Sequence, residues 1–148
     1  MRFLLTATIL STTTLLAQTQ SPHRRGPHGL EGWTRSEDVE GQGMLPVELI
    51  LARNGRMIRR INDGPFIWRW LFLHNGKQIG YETGPLHFSM TCVLVEVASG
   101  RQLATYDCFS ELPQNAPRWV ELMEAKGQES FAKRSRTLSS LPRARPPR

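Results

Sequence analysis

RNGRM at 53–57, HNGKQ at 74–78 and ASGRQ at 98–102 share one grammar. Each has Asn or Ser, then Gly, then a cation, then Met or Gln. An aliphatic residue follows in each copy: Ile58, Ile79 and Leu103. Asn-Gly between apolar runs is the strongest short-range hairpin signal, because both residues accept the positive φ of a type I′ turn. The flanking runs fit. VELILA at 47–52 precedes the first copy and MIRRI at 57–61 continues from it. FIWRWLFL at 66–73 leads into the second and KQIGYE out of it; FSMTCVLVEV at 88–97 leads into the third and RQLATYDCF out of it. Each copy thus reads as a hairpin turn followed by a cation at the exposed start of the return strand. The expectation is a mainly β domain over residues 46–126, an antiparallel meander of about six strands in three hairpins, closed by one C-terminal amphipathic helix.

The helix is read in QNAPRWVELMEAKG. Asn115 suits a cap, Pro117 a first turn, and Trp119, Val120 and Met123 recur at helical spacing. Gly127 marks its end after about ten residues. FIWRWLFL is apolar on both faces with Arg69 as its one charge, as a covered central strand would be. Upstream, residues 18–45 are polar and Gly-rich, which predicts a flexible leader; residues 127–148 predict a disordered basic tail.

The first residues, MRFLLTATILSTTTLLA, place one cation before an apolar stretch and end it on a small residue. That is the layout of a signal peptide, 1–17, cleaved after Ala17. The run is too short and Thr-rich for a membrane span, so no transmembrane segment is expected after cleavage. Localisation is expected to be secreted or periplasmic. In that setting the only two cysteines, Cys92 and Cys108, read as a disulfide. A three-residue loop at Ala98, Ser99 and Gly100 would put Cys92 opposite Tyr106 and Cys108 opposite Met90, making the cysteines diagonal neighbours on one face. Buried free thiols are the alternative.

The net charge of +6 belongs to the tail. Residues 18–132 hold 12 Lys and Arg against 13 Asp and Glu, a balance of 12 − 13 = −1. Residues 133–148 hold six cations and no acid. No nucleic-acid partner is expected on that balance. No cofactor and no metal site is expected, since no Cys or His pair stands at ligand spacing.

The residues that could carry function fall into four groups. Trp68, Trp70 and Phe72 alternate on one strand, and Tyr81 can join them from the next. An open face of that kind would be an aromatic platform for a glycan or a protein chain; under the helix it would be core. His87, with Glu82 or another of the carboxylates Asp63, Glu96 and Asp107, is the polar site of a hydrolase reading. The other histidines, His23, His28 and His74, lie in the leader or beside a turn. Arg53, Arg56, Arg59 and Arg60 gather around the first hairpin, either as a patch for an acidic ligand or as two exposed strands.

The stretch from Trp70 to Asp107, with NGKQIGYETG at 75–84 and VLVEVASGRQLATYD at 93–107, resembles one blade of the propeller repeats of exported bacterial proteins. Those repeats pair a Gly-Lys turn and an I-x-Y strand with an L-x-V strand and an S-G-R turn. A propeller needs at least four blades, and this chain has material for about one and a half, so a propeller would need several chains. The resemblance implies an antiparallel meander and an exported setting, and no catalytic residue. The W-x-F…G-P-x-H pattern, at Trp70, Phe72, Gly84, Pro85 and His87, is also similar to that of small secreted bacterial proteins. Two functions follow as expectations. One is an exported non-enzymatic β-domain that binds a protein or glycan partner, with oligomers open to it. The other is a small secreted hydrolase or lyase built on His87.

Overall fold

The computed structural model describes residues 19–86, 89–109 and 113–139, with side chains to Gln128. The expected signal peptide, 1–17, lies outside the described residues. From Thr19 onward the chain builds two antiparallel sheets and one helix. The first sheet contains β1 (Thr19–Gln20), β2 (Arg24–Arg25), β3 (Leu30–Val39), β4 (Gly43–Arg53) and β5 (Arg56–Ile61). The central hairpin β3–β4 is flanked by β5 on one side and by β1 and β2, end to end along β3, on the other. The second sheet is a four-stranded meander: β6 (Ile67–Leu73), β7 (Gln78–Thr83), β8 (Thr91–Glu96) and β9 (Gln102–Asp107).

The mainly β class with one C-terminal helix is what the sequence predicts. The single meander is not what forms, and the flexible leader is corrected. Residues 30–39 pair along their whole length with β4, Leu30 opposite Arg53 and Val39 opposite Gly43. The cause lies in alternation that Gly and Thr disguise. Leu30, Gly32 and Thr34 are buried and turn inward, while Glu31, Trp33 and Arg35 turn outward. Gly32 is inward because it faces an aromatic ring: a Cβ there would stand 2.6 Å from Trp70 and 3.3 Å from Leu51.

That contact also shows how the sheets pack. Leu30, Leu49, Leu51 and Ile61 of the first sheet meet Ile67, Trp70, Ile79, Tyr81, Val93 and Val95 of the second in one buried core. The link between sheets, residues 62–66, is held to β7. Tyr81 Oη donates to Asp63 Oδ2 at 2.6 Å, and the Thr83 hydroxyl lies 2.6 Å from the Asp63 carbonyl and 2.9 Å from that of Phe66.

The helix α1 (Arg118–Ser139) covers the other face of the second sheet. Met123 packs on Gly80, where a Cβ would come within 3.1 Å of its sulfur. The helix is 22 residues, not about ten, and it continues through Gly127 and into the stretch expected to be disordered. Gly127 does not stop it; the residue is small because the Arg69 guanidinium lies against it. Residues 140–148 lie outside the described residues. On this same face Cys92 and Cys108 form a disulfide with Cα atoms 5.7 Å apart. Cys92 is opposite Tyr106, and the Cys108 amide donates to the Met90 carbonyl at 2.9 Å. A one-residue shift between Leu94 and Val95 sets off the turn region from this register.

Candidate functional site

The aromatic group is not an open platform. Trp70 is 5% exposed and Tyr81 fully buried, both between the sheets, with Phe72 packed edge-on against Trp70. The cover is the first sheet rather than the helix. Trp68 leaves the row altogether. Register shifts between Ile67 and Arg69, and Trp68 Nε1 donates to the Gly84 carbonyl at 2.9 Å. Burial, followed by the Asp63 hydrogen bond and charge, pushes the Tyr81 phenol well above its ordinary value.

His87 lies outside the described residues, so its distance to Glu82 is not part of the geometry. Glu82 itself is buried and paired across the strands with Arg69. Arg69 Nε donates to one carboxylate oxygen and Nη2 to the other at 3.0 Å, while Nη1 donates to Glu124 of the helix at 3.2 Å. The Glu82 hydrogen bonds, with the charges of Glu82 and Glu124, hold the Arg69 guanidinium above its usual value against the opposing effect of burial. A carboxylate with both oxygens committed to a guanidinium clamps a helix onto a sheet; it is poorly placed to move protons. A second such pair is Glu48, buried on the outer face of the first sheet, with Arg35 Nε at 2.8 Å. Among the described residues no group of three or more His, Cys, Asp or Glu could hold a metal ion, and no helix is long and apolar enough to cross a membrane.

The recurrent turns are where surface chemistry collects. All three stand at one end of the paired sheets. Asn54 and Gly55, at φ 50° and 77°, join Arg53 to its partner Arg56 in the tight turn expected. The second turn is looser: four residues separate Leu73 from Gln78, with His74, Asn75 and Gly76 all at positive φ. The third closes through the Glu96 amide on the Arg101 carbonyl at 2.9 Å and the Gly100 amide on the Glu96 carbonyl at 2.8 Å.

These turns are tied together. The Asn54 amide donates to the Gly29 carbonyl at 2.9 Å, and Asn75 Nδ2 donates to His28 Nε2 at 2.9 Å. The Val97 amide donates to the Lys77 carbonyl at 2.9 Å. Arg59 bridges the two sheets, donating to the carbonyls of Val97 at 3.2 Å and Ala98 at 2.9 Å. The cation that follows each turn is thereby carried to the same end: Arg56, Lys77 and Arg101, with Arg53 beside them. All four are exposed, and among the described residues none has an ion pair.

Of the four arginines expected as a patch, Arg53 and Arg56 belong to this end. Arg59 is used internally, and Arg60 turns outward toward Glu48 at 3.7 Å. Lys77 and Arg101 were not legible as members. The signal was present in the repeated cation, but only the packing of the two sheets brings the copies together. The chain matches no protein-family model, no curated protein and no solved structure with which it was compared.

Proposed function

We propose that this chain is an exported, non-enzymatic β-domain that binds a protein partner through its basic turn end, in the cell envelope or outside the cell. The observation that carries the reading is the gathering of Arg53, Arg56, Lys77 and Arg101, exposed and without ion pairs among the described residues, on turns that are hydrogen-bonded to one another. Fixed cations on a rigid frame bind an acidic surface without first giving up an internal partner. Arg53 and Arg56 also stand directly opposite each other across a strand pair. Like charges so placed weaken a hairpin, which favours a role for the pair outside folding. The disulfide and the signal-like first residues support an oxidising, exported setting. A protein partner is favoured over a glycan because Trp70 and Tyr81 are buried.

The test is capture from envelope extract by the mature, disulfide-bonded protein, compared with the R53E/R56E/K77E/R101E variant. A partner held by the natural sequence and lost by the variant is expected. Equal capture by both would overturn the reading.

A further inference from the structure

The basic end has a counterpart on the same molecule. The register places the far tip of the β3–β4 hairpin at the opposite end of the strands, with Asp38 and Glu40 exposed there. Asp63, one oxygen of which accepts from Tyr81, and Asp107 are exposed where β5 and β9 run out in that same direction, short of the hairpin tip in the case of β5. The near-neutral balance of residues 18–132 therefore conceals a separation of charge along the strand direction.

Apolar exposure follows the same division. Met57 and Ile58, 54% and 38% exposed, directly follow Arg56 at the basic end. At the acidic end Met44, 41% exposed, is the strand partner of Asp38, and Phe109, 57% exposed, follows Asp107 by two residues. The Glu96 carboxylate also lies at the basic end, half-buried and taken up by the Ser99 hydroxyl, so the exposed charge there is mainly cationic; each end sets a majority of one sign beside flexible or aromatic apolar side chains, types enriched at protein interfaces.

We propose that the partner of the basic end is the acidic end of a second copy of this chain, so that copies join head to tail along the strand direction. This rests on the reading of the basic end as a protein-binding face. Such a contact is heterologous: each copy uses one end and leaves the other free, giving a ring or an open file rather than a closed two-fold dimer. Strand addition is not the mode. Among the edge strands, β5 is bulged at Ile58, β6 at Trp68 and β9 at Leu103, while β1 and β2 are two residues each, and bulged or very short edges resist further pairing. The contact is made by side chains, Arg forks on carboxylates around a small apolar centre.

The test uses two variants of the mature protein, R53E/R56E and D38R/E40R. None of the four residues is buried, and among the described residues none is ion-paired, so both variants are expected to fold, as circular dichroism verifies. Sedimentation velocity at high protein concentration and low ionic strength reads the assembly. The natural sequence is expected to associate in steps and to dissociate as salt is raised. Each variant alone is expected to associate at least about tenfold more weakly, since two attractive contacts become repulsive. Mixed one to one, the variants are expected to associate where neither does alone, because each retains one intact end and those ends are complementary.

A natural chain that stays monomeric under these conditions, or a mixture that shows no complex, would overturn the proposal. A symmetric dimer unaffected by either variant would overturn it as well. Capture of a foreign acidic protein that R53E/R56E abolishes, without self-association, would defeat the head-to-tail contact and leave the basic end as a binding face.

Discussion

Removing Arg69 is expected to harm this protein more than removing its partner Glu82, and the asymmetry follows from burial. The Glu82 side chain is 5% exposed and the Arg69 side chain 34%. In Arg69→Met the apolar stem is kept but Glu82 loses the donors to both its oxygens. Breaking a fully buried pair this way costs about 3–5 kcal/mol. Here water reaches the guanidinium position, so about 2–4 kcal/mol is expected, a fall in Tm of roughly 10–20 °C for a domain of this size. In Glu82→Gln the arginine keeps Glu124 and solvent, and the amide oxygen still accepts, so about 1 kcal/mol is expected. The double variant Arg69→Met/Glu82→Met should be more stable than Arg69→Met alone, because no charge is left buried. Thermal and urea unfolding followed by circular dichroism, with the disulfide intact, measure all four proteins. An Arg69→Met variant within about 0.5 kcal/mol of the natural protein would refute the reasoning, as would a double variant no better than that single one.

Tyr81 makes stability sensitive to alkali. Its folded pKa is raised above the ordinary value of 10.0, so its contribution is complete below about pH 10 and is lost as pH climbs beyond it. A slope of about 1.4 kcal/mol per pH unit from this group is expected in chemical unfolding above pH 10, and Tyr81→Phe should lack it. Gly32→Ala should destabilise by about 1–3 kcal/mol through the clash with Trp70, and adding Trp70→Phe should recover part of that in urea unfolding. Replacing both Cys92 and Cys108 by Ala should cost about 3 kcal/mol, since the bridge spans a sequence separation of 16; equal midpoints with and without the bridge would contradict this.

The tight turn at Asn54-Gly55, the mainly β class and the bridging of Cys92 to Cys108 were legible in the chain because each depends on local chemistry. A positive-φ pair makes a turn wherever it occurs, and two cysteines on adjoining strands need only the register of one hairpin. β3 was hidden for a physical reason: its inward positions include Gly32, which leaves room for Trp70, and Thr34, and such residues carry no apolar pattern. The helix overran its expected stop because Gly127 answers to Arg69 rather than to its own backbone. The candidate site divides in the same way. The sequence by itself determined that each turn is followed by a cation, at Arg56, Lys77 and Arg101. That these cations share one end, with Arg53 beside them, was decided by packing Leu30, Leu49 and Leu51 against Trp70, Ile79 and Val95. Hydrophobic burial aligns the two sheets, and charges far apart in the chain become neighbours because the turns that carry them stand at the same end of those strands.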